Sequence, residues 1–394
     1  MIYFDNGATT YPKPPSVPRA MMAAMREYGA NPGRSGHRMS LRASETIYRC
    51  RENLARLFDT DKPENVILTY NCTTALNTVI QGVLKSGDHA VISSLEHNAV
   101  VRPLEALRAS GVTYSVAKVF EGDDEATLNS FRSCFRANTR LVVCTHASNV
   151  FGVRLPAGRL AALCRLNGIR FCLDAAQTAG VVPISLKNSC IDYLCTAGHK
   201  GLYGPMGTGV LVINSDLTPD SLIQGGTGSF SSDRGQPEIL PDKYESGTPN
   251  LAGIAGLSEG VKFVLNRTPQ GMERYEMRLA ARLYDRLSSM DGVRLYSSRP
   301  ESGTHVPVIS FNVGDMDSET AARLLDERQI AVRAGLHCAP LAHESRGTAQ
   351  QGTVRAVMSV FNNERQIDYL AAAVKKIVNN QEKKVAIINS NVLK

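Results

Sequence analysis

Between about residues 16 and 213, short β-branched runs alternate with longer amphipathic ones, and no other feature restricts the chain as much. β-Branched residues pack well on a pleated sheet, amphipathic stretches of ten or more residues hide one face as helices, and strands joined by such helices run parallel. Strands are expected at Val66-Ile67-Leu68-Thr69, Ala90-Val91-Ile92-Ser93, Leu141-Val142-Val143-Cys144-Thr145, 169–173 and Gly209-Val210-Leu211-Val212-Ile213. Helical spacing falls between them at 73–84, 99–110, 125–135 and 157–167, several of these stopping at Gly or Asn as helix C-termini commonly do. A Gly-, Ser- and Pro-rich span at 224–250 then leads to a second pattern of helix, strand, helix and strand. At 394 residues the chain is longer than one hydrophobic core usually grows. The fold class is therefore α/β, with a large α/β domain followed by a smaller α+β domain, and the residues from about 381 form a docked or frayed tail.

Composition narrows the function. Hydrophobic residues at 43% and charged residues at 21% suit a soluble globular enzyme. The 44 Lys and Arg exceed the 37 Asp and Glu, but they are dispersed and do not form a basic stripe interleaved with aromatics, so no nucleic acid partner is expected. None of the nine cysteines stands in a Cys-x-x-Cys pair, and several lie inside apolar runs, as small buried hydrophobes of a reducing compartment do. No metal site is expected. The first residues lack the basic-then-apolar pattern of a signal peptide, and no long uncharged apolar run occurs. A cytoplasmic protein without a membrane partner follows as the expectation.

In open α/β sheets ligands bind outside the carboxyl ends of the strands, so the side chains just after each apolar run are the ones to collect. Tyr70-Asn71-Cys72-Thr73-Thr74 opens a helix whose amides and Thr hydroxyl can hold a phosphate. Ser94-Leu95-Glu96-His97-Asn98 offers a ring that can lie on a planar cofactor. His146-Ala147-Ser148-Asn149 offers an amide, and the 169–173 strand runs into Asp174, with Gln177 one turn on. Each also has a plain structural role: Thr73 as a first-turn residue, His97 as a capped or satisfied loop histidine, Asn149 as a turn residue and Asp174 as a helix cap. The further segment Thr196-Ala197-Gly198-His199-Lys200-Gly201 supplies a lysine. A lysine that forms an imine and an acid that keeps a ring nitrogen protonated are what a protein must supply for pyridoxal phosphate (PLP) chemistry.

These residues carry a resemblance. The chain resembles the PLP-dependent class V aminotransferase-fold enzymes, and among them the cysteine desulfurases and selenocysteine lyases. The matching stretches are Tyr3-Phe4-Asp5-Asn6-Gly7-Ala8-Thr9-Thr10, 71–77, Glu96-His97-Asn98, Ser148-Asn149, Asp174-Ala175-Ala176-Gln177, Gly198-His199-Lys200, Glu245-Ser246-Gly247-Thr248-Pro249-Asn250 and Arg333-Ala334-Gly335-Leu336-His337-Cys338-Ala339-Pro340, in the family's order.

The resemblance implies PLP fold type I: a large domain over 15–255 with a mostly parallel seven-stranded sheet, and a small α+β domain from 1–14 and 256–394 carrying the cysteine loop. It implies that Lys200 forms the imine and moves protons, that Asp174 pairs with the ring nitrogen, and that His97 stacks on the ring. Gln177 and Asn149 would contact the ring hydroxyl side, Thr73 and His199 the phosphate, and Thr248 the phosphate held by the other subunit of a homodimer. Arg355 would grip the substrate carboxylate, where a planar bidentate donor is apt, with Asn149 beside it. Cys338 would be the nucleophile that takes sulfur from L-cysteine as a persulfide, leaving L-alanine, with a sulfur-acceptor protein as the next partner. His337 and Arg333, cations or potential cations, would favour its thiolate.

Two departures stand out. Ala197 occupies a position where many relatives have Ser or Thr, removing a phosphate hydroxyl unless Thr196 compensates, and Gly201 is an extra residue after Lys200. The alternatives are a selenocysteine lyase acting on L-selenocysteine, a class V transaminase, epimerase or β-lyase in which Cys338 is incidental, and a silent sulfur-relay scaffold.

Overall fold

The structure, a computed structural model, describes residues 1–33 and 36–392. The chain divides into two compact units. The larger comprises Pro12–His146 and Leu155–Met272, the smaller Met1–Tyr11, Ala147–Arg154 and Glu273–Lys394.

The larger unit is built on a seven-stranded sheet. Its spatial order is Val66–Thr69, Gly209–Ile213, Tyr193–Ala197, Arg170–Asp174, Thr139–Thr145, His89–Ser93 and Thr113–Ala117. Gly209–Ile213 runs antiparallel to both neighbours and every other pairing is parallel, so the sheet is mostly parallel as expected. The strands Gly209–Ile213, Tyr193–Ala197 and His89–Ser93 are buried along their whole length, as strands of a sheet covered on both faces are. Two strands go beyond the five expected. Thr113–Ala117 is a half-exposed edge strand, and Tyr193–Ala197 has Thr196 as its one β-branched residue, so neither shows the β-branched run that marks the others. The helices Cys72–Val83, Asn98–Leu107, Asp124–Cys134 and Ala157–Leu166 fall within one to three residues of the expected spans.

The span 224–250 carries no helix or strand. Its end is anchored by the buried Arg51, whose Nη1 donates to Glu245 Oε1 at 2.7 Å, while the same oxygen accepts from Leu68 N at 2.7 Å. The next helix, Leu251–Arg267, packs against Ser16–Glu27 and Arg38–Phe58 and so stays with the larger unit. That packing moves the edge of the unit to 272, where sequence places a domain edge at 255.

The smaller unit has an antiparallel three-stranded sheet, Val354–Val357, Val308–Val313 and Val293–Leu295 in spatial order, and a two-stranded parallel pair, Ile2–Tyr3 with Ile330–Ala331. Its core joins Phe4, Leu283, Ile309, Phe311, Leu325 and Leu370, each 0–1% exposed. Burying a side chain of this size stabilises by roughly 1.5–3 kcal/mol. The last helix, Glu364–Val392, continues through the region that sequence reads as a docked or frayed tail. No helix among the described residues is long and apolar enough to cross a membrane.

Candidate active site

In the larger unit, Thr145, Asp174 and Cys195 lie in register across three adjacent strands, which places Asp174 at a carboxyl end near the middle of the sheet. Asp174 is 4% exposed; its Oδ1 accepts from Ala176 N at 2.9 Å and from Cys72 Sγ at 3.6 Å. Burial pushes its pKa up, opposed by the Ala176 N–H, the positive charge of Lys200 and the Cys72 contact. A buried acid whose field is offset by one nearby ammonium fits a protonated ring nitrogen, since an N–H cation there supplies the missing charge.

Thr73 lies exposed in the first turn of the Cys72–Val83 helix, whose N-cap Asn71 accepts from Thr74 N at 2.8 Å. The helix start, with its N–H groups and partial positive charge, fits a phosphate. His97 caps the Asn98–Leu107 helix: its Nδ1 accepts from Ala99 N at 3.0 Å, which leaves the ring proton on Nε2. This cap, for which the sequence gave no signal, fixes the ring that the resemblance assigns to the cofactor.

Glu96 went unassigned at sequence level, although it stands beside His97. It is fully buried, and its Oε1 accepts from Thr145 N at 2.8 Å and from the Ser93 hydroxyl, tying the His97 turn to two strand ends. Burial raises its pKa from 4.5 to about 8. Because the folded pKa lies above the unfolded one, Glu96's contribution to stability is whole below about pH 4.5 and is lost as pH rises through about 8. Glu96→Gln is therefore expected to gain stability relative to wild type between pH 5 and pH 8; urea midpoints at the two pH values measure it, and an equal difference at both contradicts it.

Lys200 follows directly on Gly198-His199, just after the Tyr193–Ala197 strand, and is half-buried. Gly201 has a steric reason to be glycine: a Cβ there would lie 2.4 Å from the Ala179 carbonyl, and a Cβ on Gly180 would lie 2.2 Å from Gly201 O. The two glycines let the lysine segment press against the 179–181 backbone. Gly201→Ala is expected to cost about 1–3 kcal/mol of stability and to loosen cofactor retention, measured by urea unfolding and by PLP retained after gel filtration; unchanged values in both contradict the packing argument.

Thr196 does not make up for Ala197. Its hydroxyl is buried and donates to Ala175 O at 3.3 Å. His199 is held neutral, its pKa pushed down to about 4 by burial and by the charges of Lys200 and Lys13. Lys13, for which sequence gave no signal, donates from Nζ to His199 O at 2.7 Å, and burial lowers its pKa to about 8. Gln177 is half-buried in the turn after Asp174. Thr248 is exposed and lines a cavity of about 320 Å³ with Arg51, Tyr48 and Glu245; none of the other residues expected at the cofactor is among its described lining.

In the smaller unit, Arg355 is 1% exposed on the Val354–Val357 strand. Its Nη1 donates to the Asn149 backbone carbonyl at 2.7 Å and its Nη2 to Asp5 Oδ1 at 3.1 Å, while buried Nε has no partner within hydrogen-bond distance among the described residues. Burial lowers its pKa to about 10, opposed by Asp5. A Cβ on Gly7 would lie 3.2 Å from Arg355 Cζ, so the 5–7 segment closes on the guanidinium from one side. Asp5, quoted only as part of a motif, is thus the counter-charge of Arg355.

Asn149 uses its side-chain amide on the protein. Its Nδ2 donates to the His337 carbonyl at 2.8 Å. The expectation that His337 is a cation beside Cys338 is overturned: the ring is 4% exposed, its Nε2 lies 3.0 Å from Thr353 O, and burial with the nearby Arg355 charge lowers its pKa to about 2. His337 is neutral and serves to fix the turn. His337 and Cys338 both have left-handed backbones, φ 49° and 57°. Such conformations cost a non-glycine residue about 1–3 kcal/mol each and persist only where neighbours hold them. Of the nine cysteines, six are buried, two half-buried, and Cys338 alone is exposed.

The sequence profile described as Aminotransferase class-V matches residues 2–370. A probable cysteine desulfurase from Methanothermobacter thermautotrophicus is 31% identical, the alignment covering 95% of this chain and 94% of that protein. Another from Pyrococcus abyssi is 32% identical, covering 96% and 94%. Among solved structures, the apo cysteine desulfurase from Thermococcus onnurineus NA1 superposes with a TM-score of 0.87 at 32% identity, covering 96% of this chain and 95% of that one. The cysteine desulfurase CsdA from Escherichia coli gives 0.85 at 26% identity, covering 96% and 94%. With the profile spanning nearly the whole chain, and with relatives 31% and 32% identical over nearly all of it, the chain belongs to the class V aminotransferase family.

Proposed function

We propose that this protein is a PLP-dependent cysteine desulfurase: it takes L-cysteine, releases L-alanine and retains the sulfur on Cys338 as a persulfide for delivery to an acceptor protein. The observation that carries this reading is the placing of Cys338. It is the one exposed cysteine of nine, in a strained turn that Asn149 links to the buried Arg355.

PLP, when bound, draws electrons from the substrate's α-carbon and so opens the bond to sulfur. Lys200 holds the cofactor through its Nζ and, once displaced by the substrate amine, takes and returns protons with that nitrogen. Asp174 keeps a negative charge against the ring nitrogen, and His97 supplies a flat face whose orientation its capping bond fixes. Thr73, His199 and Gln177 are assigned to the phosphate and ring hydroxyl, with His199 a neutral donor.

Arg355 orients the substrate by its carboxylate. Two of its five N–H groups are used by Asn149 and Asp5, which leaves three donors, Nε–H among them, for a carboxylate to meet in pairs. The Cys338 thiolate then attacks the substrate sulfur. The new S–S bond forms as the carbon–sulfur bond breaks, the electron pair stays with carbon, and protonation there completes the methyl group of alanine. No outside oxidant is required, because the persulfide keeps the sulfur that alanine lacks.

A homodimer belongs to this reading, with the exposed Thr248 hydroxyl reaching the phosphate of the partner subunit. So does the cytoplasm, where nine unpaired thiols persist. PLP-loaded protein given L-cysteine and a thiol reductant is expected to release alanine and sulfide in equal amounts. Pyruvate and ammonia in place of alanine would make it a β-lyase; product from L-selenocysteine alone would make it a selenocysteine lyase.

A further inference from the structure

We propose that Asn149 is a positioning residue that fixes the Cys338 turn to the carboxylate anchor, an inference that rests on the reading of Cys338 as the sulfur acceptor. One residue makes both connections. The Asn149 backbone carbonyl accepts from Arg355 Nη1 at 2.7 Å, and its side-chain Nδ2 donates to the carbonyl of His337, the residue before the nucleophile, at 2.8 Å. Asn149 is 8% exposed and His337 4%, so water competes poorly for either bond.

The segment carrying Asn149 is itself held. Ser148 N donates to Val153 O at 2.9 Å, and Ser310 Oγ on the Val308–Val313 strand donates to Val150 O at 2.5 Å. On the far side, Arg355 N donates to Arg333 O at 2.7 Å and Arg333 N to Arg355 O at 3.2 Å, so the strand that bears the anchor also carries the entry to the cysteine turn. The turn's own bonds are Ala339 N to Leu336 O at 2.9 Å and the His337 ring to Thr353 O at 3.0 Å. Two consecutive left-handed residues need holding from outside the turn, and Asn149 supplies that hold from the 147–154 segment. The resemblance gives this amide to the cofactor ring; here it is engaged on the nucleophile's backbone.

The test uses PLP-loaded protein with Asn149→Asp, which keeps the size but lacks the donor, and Asn149→Ser as a second variant. Hydrogen exchange is read on the 333–340 peptide with the Val308–Val313 strand as internal reference, alongside the resting cofactor absorbance and the yield of Cys338 persulfide in one turnover. The expected result is exchange of 333–340 faster by about 10-fold, an unchanged reference strand and a similar fall in persulfide yield, with the absorbance band in place. Unchanged exchange in both variants overturns the proposal, as does equal acceleration across the reference strand. A shifted band without faster exchange also overturns it and returns Asn149 to the ring. Exchange is readable without turnover, so a wild type that forms no persulfide would sink the functional reading separately.

Discussion

Lys200→Ala is expected to lower alanine formation from L-cysteine by about 10³-fold or more, because the proposed mechanism gives one nitrogen two jobs. As the amine that holds the cofactor it sets the resting state, and as the base that moves protons at the substrate it contributes the roughly 10²- to 10⁴-fold typical of positioned acid–base groups. Asp174 would remain buried with its nearby ammonium removed, so its pKa should rise further. Lys200→Arg should not restore turnover, since a guanidinium neither forms the imine nor gives up a proton near neutral pH. Initial rates with saturating PLP decide the matter; a variant within about 10-fold of wild type would remove Lys200 from the mechanism.

The second large effect is expected at Arg355. Arg355→Met removes the guanidinium, leaves the Asp5 carboxylate without its partner and withdraws the donor from Asn149 O. Truncating one side of a buried charged pair costs about 2–5 kcal/mol, which as lost substrate binding is about a 30- to 5,000-fold fall in kcat/KM. The fall should come chiefly through KM, because the contact is made before the chemistry and kept through it. Arg355→Lys should recover little, for an ammonium cannot reproduce two parallel N–H bonds. A kcat/KM near wild type in the methionine variant would show that the substrate carboxylate is bound elsewhere.

The parts of this account that were legible in the sequence are those set by local periodicity. Asp174 announced itself because a buried parallel strand is a continuous apolar run and the acid stands at its end. The lysine segment was visible through its glycines, although only the structure shows that Gly201 is pressed against Ala179 O. What stayed hidden depends on partners far away in the chain. Asn149 and His337 are 188 residues apart, and no spacing rule brings an amide to that carbonyl. The charge of His337 was misread for the same reason: a histidine beside a cysteine suggests a cation until its burial next to Arg355 is known. Glu96 and Lys13 carry their roles through depth, which sequence does not report. The helix Leu251–Arg267 has an evident apolar face, yet nothing in it says that the face belongs to Ser16–Glu27 and Arg38–Phe58.

The central claim is that sulfur leaves L-cysteine for Cys338. PLP-loaded wild type and Cys338→Ala are each mixed with L-cysteine for one turnover without added reductant, alkylated, digested and weighed by mass spectrometry. The account predicts one extra sulfur atom on the peptide containing Cys338 in the wild type, matched by one alanine per subunit, and no alanine from Cys338→Ala although its cofactor absorbance still responds to L-cysteine. Alanine formed equally by both proteins, with no sulfur on that peptide, would contradict it.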